Sequence, residues 1–178
     1  MLSMSTDKGN SPSFDQAYES LFPTIFRVSY RITGDKEAAE DLCQEAFIRY
    51  MGRNAGLPDL DQTKFWLIRV VKNLSLNFEK RKKREKAAFG KLQRISPTVQ
   101  EPRENEVIEQ EIRSDVQAAL NQIPNNLRMP LVFREYAGLS YKEIGNILGI
   151  SESNVKIRIF RAREKLEKVL KKGSDHAS

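Results

Sequence analysis

The sequence predicts an all-α fold made of two small helical domains joined by a linker. Three observations lead there. Apolar residues recur at steps of three and four along most of the chain, and no stretch alternates apolar and polar residues long enough for a strand. The segment 87–105 (AAFGKLQRISPTVQEPREN) loses that periodicity and carries two prolines, the mark of a connection between domains. Charge comes in blocks: net −4 over residues 1–63, +9 over 64–94, −4 over 95–127 and +6 over 128–172. The expected boundaries are 10–85 for the first domain, 86–112 for the linker, 113–172 for the second domain and 173–178 for a tail.

The first domain reads as three helices. Ser13 and Gln16 form a capping box after Pro12. Phe14, Tyr18, Leu21, Ile25 and Ile32 then follow helical steps, with Pro23 expected to break the run into two pieces. Gly34-Asp35 ends that element and caps the next, in which Ala39, Leu42, Cys43, Ala46, Phe47 and Tyr50 make one apolar stripe. Cys43 reads there as a small core residue. Gly52–Gln62 is rich in breakers and reads as a loop. A long helix is expected from Thr63 to Arg84. Leu67, Val71, Leu74 and Phe78 point one way, whereas Trp66, Arg69, Asn73, Asn77, Lys80 and Arg84 point well away from them. A basic, aromatic-bearing stripe opposite a core stripe suits a nucleic-acid backbone.

The second domain begins with a loose helix through Val107, Glu111, Val116, Leu120 and Ile123, and Pro124-Asn125-Asn126 restarts the chain. Leu127–Tyr136 follows as a helix ending at Ala137-Gly138. Ser140 and Glu143 form a second capping box, and Ile144 and Leu148 give the next helix an apolar face. Gly145 sits where a close partner helix leaves no room for a side chain, and Gly149 stands where a left-handed residue is needed. Ser151 caps the last helix, which carries Val155, Ile159, Ala162, Leu166 and Val169 inward. A short helix, a glycine turn and a longer basic helix make a helix-turn-helix, the second helix of which enters the major groove. Outward lie Lys156, Ile157, Phe160 and Arg161, flanked by Arg158, Arg163, Lys165 and Lys168. Exposed Ile157 and Phe160 suit thymine methyls or sugar edges; Phe160 packed on a neighbouring helix is the alternative.

Bulk features narrow the function classes. With 39% hydrophobic and 30% charged residues, the chain suits small helical cores with much surface. No apolar run approaches the ~20 residues of a membrane span, and the N-terminus lacks a signal layout. Cys43 is the lone cysteine and His176 the lone histidine, so neither an internal disulfide nor a multi-cysteine zinc site is possible. A cytoplasmic protein without metal, cofactor or catalytic residues is expected. The two basic blocks read as two contacts with one polyanion, with solvated helix faces as the alternative.

Three segments, in order and spacing, carry a family resemblance: GDKEAAEDLCQEAFIRY (34–50), KFWLIRVVKNLSLNFEKRKKR (64–84) and REYAGLSYKEIGNILGISESNVKIRIFRAREKL (134–166). Together they resemble the extracytoplasmic-function (ECF) group of bacterial sigma factors, over roughly residues 13–85 and 113–170. The resemblance implies a non-enzymatic subunit that binds core RNA polymerase and directs it to −35 and −10 promoter elements. Glu40, Asp41, Gln44, Glu45 and Ile48 match the surface that docks on the clamp coiled coil of the largest polymerase subunit. Phe65, Trp66, Arg69, Asn73 and Asn77, with Lys80, Arg81, Lys83 and Arg84, match the −10 melting segment, and the Gly52–Gln62 loop would hold a flipped base. Core packing is the alternative for Trp66.

By the same resemblance, Ser153, Asn154, Lys156, Ile157 and Arg158, with Phe160, Arg161 and Arg163, match the −35 reader, whose domain rests on the flap of the second-largest subunit. An anti-sigma factor is a further implied partner. The chain departs from the family at Asn77, where an acidic residue is usual, at Phe78-Glu79, which replaces a more basic continuation, and at Pro130 inside a helix. Two rivals stand beside this reading. A response regulator would need a strand-bearing receiver in the first 85 residues, and a nuclease would need convergent carboxylates or histidines beside the basic helix.

Overall fold

The computed structural model describes residues 11–90 and 107–175. Among them the chain forms seven helices and no strand: α1 (Phe14–Thr33), α2 (Lys36–Met51), α3 (Leu60–Phe89), α4 (Val107–Asn121), α5 (Asn125–Ala137), α6 (Tyr141–Leu148) and α7 (Glu152–Asp175). The expected signal-free N-terminus, the prolines of the linker and His176 lie outside the described residues.

Local chemistry sets most boundaries. Ser13 Oγ accepts from Gln16 N at 3.2 Å, and Ser13 N donates to Gln16 Oε1 at 3.0 Å. At the other end Gly34 takes φ 68 and closes the helix onto Tyr30 O, a conformation that costs an L side chain about 1–2 kcal/mol. Asp35 then caps α2 through Ala38 N at 3.0 Å.

The expected break at Pro23 does not occur, and α1 runs unbroken past it. An internal proline costs about 3 kcal/mol. What offsets it is a ladder of rings at four-residue spacing, Phe14, Tyr18, Phe22, Phe26 and Tyr30, with successive centroids 5.9, 4.9, 6.3 and 6.3 Å apart. Each such pair adds roughly 0.5–1.5 kcal/mol beyond its burial. Leu21, Ile25, Val28 and Ile32 meanwhile bury completely or nearly so.

The third helix is longer than expected at both ends. Asp59 Oδ1 accepts from Gln62 N at 2.7 Å, so Leu60–Gln62 form the first turn and the loop is confined to Gly52–Asp59. At the far end Lys86-Ala87-Ala88, all good helix formers, carry α3 to Phe89, inside the expected linker. The last helix likewise continues beyond residue 172 to Asp175.

Helices α1, α2 and α3 pack together, as do α4–α7, and α5 joins the two sets. Seven consecutive α5 residues, Leu127–Phe133, are buried. One packed face would hide only a stripe, so α5 must be covered on two sides. It is, by α7 within its own set and by α1 of the other. The buried apolar residues of both sets form one continuous cluster.

A candidate nucleic-acid interface

Two faces bring the sequence-selected residues together. On α3, Thr63, Leu67, Ile68, Val71 and Ser75 bury against α1 and α2. That fixes the helix rotation and turns Arg69, Asn73, Asn77, Lys80 and Arg84 to solvent, with Arg81 and Lys83 beside them. Phe78 is half-buried and takes Arg81 and Lys82 cations over its ring at 5.9 and 5.6 Å. Arg81 also pairs with Glu85 at 3.7 Å, an exposed contact that holds the guanidinium only weakly.

Trp66 sits at the head of this stripe, half-buried. Its ring centroid lies 6.1 Å from that of Tyr50, and the Arg53 guanidinium stands 4.9 Å over it. Core packing and an accessible aromatic surface, posed as alternatives, are thus combined in one residue. Arg53 also donates from Nε to Ala55 O at 3.3 Å, tying the Gly52–Asp59 loop to the tryptophan. Sequence reasoning missed Arg53, because nothing in its spacing marks a cation that folds back thirteen residues. Phe65 is placed apart from the exposed stripe. It lines a cleft of about 240 Å³ with Asp61, Gln62, Glu143 and Asn146, facing the second helix set.

The second face is the helix-turn-helix. Ser140 Oγ accepts from Glu143 N at 3.2 Å, and Ser140 N donates to Glu143 Oε2 at 2.7 Å. That backbone hydrogen bond holds the Glu143 carboxyl below its usual range. Gly149 adopts φ 67. A Cβ at Gly145 would stand 2.7 Å from Ile150 O, so what crowds this position is the turn's own backbone and not the partner helix expected there. Ser151 Oγ caps α7 through Asn154 N at 3.2 Å.

Val155, Ile159 and Ala162 bury, with Leu166 and Val169 partly so, opposite an exposed face. On that face Ile157 is 49% and Phe160 63% exposed, so Phe160 does not pack on a neighbouring helix. Lys156 and Arg161 flank them, and Ser153 is exposed beside the helix start. Lys156 pairs with Glu152 at 3.4 Å and stands 5.4 Å over the Tyr141 ring. Arg158 is held by Asn154 Oδ1 at 3.0 Å, and Arg163 by Glu135 at 2.6 Å. These two cations are therefore oriented by protein partners before any ligand arrives.

On α2, Cys43, Ala46, Phe47 and Tyr50 face inward, leaving Glu40, Asp41 and Gln44 exposed and Ile48 57% exposed. Glu45 is paired with Arg49 at 2.7 Å. Met51, at 63% exposure, extends the apolar part of this face, a residue the sequence reading did not select. Among the described residues no group of three His, Cys, Asp or Glu side chains could hold a metal, and no helix is long and apolar enough to cross a membrane.

Comparison with known proteins decides the family. The Sigma-70 region 2 model matches residues 17–85, and the Sigma-70, region 4 model matches residues 113–166. The ECF RNA polymerase sigma factor SigM of Bacillus subtilis (strain 168) is 30% identical over 90% of this chain and 97% of its own. SigW of the same organism, also an ECF sigma factor, is 33% identical over 92% of both chains. The chain belongs to the ECF group of sigma-70 family sigma factors. It is a non-enzymatic factor that directs promoter-specific transcription initiation by RNA polymerase. The fold of this sigma factor also resembles that of RpoE from Bartonella quintana, solved with the anti-sigma factor NepR. That likeness has a TM-score of 0.66 at 22% identity, over 89% of this chain and 96% of the other. CnrH, solved with the cytosolic domain of CnrY, gives 0.62 at 20% identity over 89% and 87%.

Proposed function

We propose that this sigma factor grips promoter DNA at two points, the −10 element through the exposed stripe of α3 and the −35 element through the outward face of α7. The observation that carries this reading is the pairing of two exposed cationic faces, each opposite a buried stripe and each bearing an aromatic ring, on separate helix sets. Arg69, Asn73, Asn77, Lys80, Arg81, Lys83 and Arg84 follow the opened strand, and Trp66 offers it a flat surface at the loop. Stacking on such a surface is worth ~1–3 kcal/mol per base. Lys156, Ile157, Phe160 and Arg161 meet base edges, while Ser153, Asn154, Arg158 and Arg163 hold the backbone. Residues 10–85 and 113–172 act as the two DNA-gripping domains.

The exposed α2 face with Glu40, Asp41, Gln44, Glu45 and Ile48 docks on the clamp coiled coil of the largest polymerase subunit. The second domain rests on the flap of the second-largest. An anti-sigma factor is the further partner proposed, in keeping with the complexes in which RpoE and CnrH were solved. The response-regulator reading is not favoured, because residues 11–90 hold three helices and no strand.

Two variants separate the faces. Arg161→Ala should lower promoter-specific transcription about tenfold, within the 1–3 kcal/mol of a lost base contact, and leave core-polymerase binding intact; equal loss of both contradicts the assignment. The double variant Arg81→Ala, Lys83→Ala should reduce permanganate-reactive open complex. It should also flatten the log–log salt dependence by about 1.4–1.8, at roughly 0.7–0.9 per phosphate contact. An unchanged slope removes these residues from the interface.

A further inference from the structure

We propose that Tyr141 is a positioning residue for −35 recognition, holding the Lys156 ammonium in place before DNA arrives. The proposal rests on the reading of α7 given above, in which Lys156 meets a base edge. Its observation is a chain of contacts through α5, α6 and α7. Tyr141 is the first residue of α6 and half-buried, its backbone fixed by the Ser140–Glu143 capping box. The Arg134 guanidinium of α5 stands 4.7 Å over its ring, and the Lys156 ammonium of α7 stands 5.4 Å over it. Arg134 is itself anchored, its Nη1 donating to Leu139 O at 2.9 Å in the turn before α6.

A lysine needs such a support more than the arginines around it. Its ammonium rides on a flexible four-carbon stem, whereas a guanidinium is a planar fork. Lys156 pairs with Glu152, one turn earlier on α7, at 3.4 Å, and both side chains are more than half exposed. An exposed pair of this kind holds its partners weakly. The Tyr141 ring supplies a second point. A cation is drawn to the face of an aromatic ring within about 6 Å of its centroid, and the attraction uses up none of the ammonium's N–H donors. Those donors stay available to Glu152 and to acceptors on a base edge.

Association must immobilise any long side chain that reads a base. A lysine already held over a ring loses less freedom at that moment, so the ring raises affinity. It also bears on specificity. An ammonium free to swing would find acceptors on several base edges or on the phosphates, which carry no sequence information. Tyr141 restricts that choice through a contact made within the protein. The ring face alone carries the attraction, and phenylalanine offers a similar face. The hydroxyl therefore has no part in the proposal.

The test has two parts. In the full chain with carbon-labelled lysines, the Lys156 ε-methylene signal (identified by its loss in Lys156→Gln) should be shifted upfield by the ring current. Tyr141→Phe should keep that shift and Tyr141→Leu should abolish it. The second part measures binding of the complex with core polymerase to a promoter duplex recovered from this factor's run-off transcripts. Tyr141→Leu should lower affinity about two- to fivefold, the scale of an exposed cation–π contact. It should also flatten discrimination at the base pair that Lys156→Gln ceases to read, and Tyr141→Phe should restore both. In the Lys156→Gln background, Tyr141→Leu should cost nothing further. An unshifted ε-methylene in the unmutated chain overturns the proposal without any variant that could unfold. So does an equal cost of Tyr141→Leu in both backgrounds, which would assign the ring to Arg134 or to the turn alone. Either result leaves the −35 reading standing. If Lys156→Gln instead binds every promoter substitution as the unmutated chain does, the −35 reading of this lysine fails, and the proposal with it.

Discussion

At the residue scale, Trp66 and Cys43 show how burial sets what a side chain can do. Trp66 is the lone tryptophan, so its fluorescence reports one place. Held between Tyr50 and Arg53, it should be quenched when single-stranded −10 DNA is added to the isolated chain and stacks on the loop side. Arg53→Ala should weaken that quenching several-fold, while Arg53→Lys, which keeps the charge and loses the flat guanidinium, restores it only in part. Equal quenching in all three would leave Arg53 no role in presenting the ring. Cys43 is the opposite case. Burial, assisted by the charge of Glu40, pushes its thiol from 9.0 up to about 12. The native protein should therefore resist a thiol reagent at pH 8 and react once unfolded. The raised folded value means that the thiol's contribution to stability is complete below pH 9. It then declines between about 9 and 12 by ~1.4 kcal/mol per pH unit. Urea melts of Cys43→Ala should lack that share of the alkaline loss; a slope identical to the unmutated chain's would contradict the assignment.

At the element scale, the helix-turn-helix is the most locally determined part of the molecule. Its caps, its glycine turn and its inward stripe were all legible in the sequence, because each depends on residues within four positions of one another. The same holds for the Ser13 capping box and the Gly34-Asp35 junction. What was not legible depends on distant partners. Pro23 looked like a breaker because the ring ladder across it gains its strength from Phe47 and Tyr50 on α2. The start of α3 is hidden in the sequence because its cap, Asp59, follows a run of turn-forming residues. Phe160 could be assigned only once α5 and α6 had filled the inner side of α7. Gly145→Ala tests the turn itself. A Cβ 2.7 Å from a backbone carbonyl cannot be relieved by rotating a side chain, so the turn must move. Overpacking of this kind costs about 1–3 kcal/mol. The expected result is a lower Tm with −35 duplex binding reduced more than core binding; full retention of both would show that the turn is not held as described.

At the scale of the whole molecule, charge and packing pull in different directions. The blocks of +9 and +6 separated by acidic stretches favour two contacts on one DNA, whereas α5, covered on both sides, draws the domains together. The sequence showed the first of these tendencies and concealed the second, since Arg31 meets Gln117 and Arg128 meets the Ile32 carbonyl across nearly a hundred residues. Two basic faces alone describe many DNA-binding proteins. The order and identity of regions 2 and 4 make this one a sigma factor. The most direct test of that conclusion mixes the purified chain with sigma-free core polymerase on a pool of genomic fragments and sequences the run-off products. The account predicts transcripts with discrete starts that share spaced −35 and −10 sequences and depend on the chain. Starts spread at random, or no transcript above core polymerase alone, would contradict it.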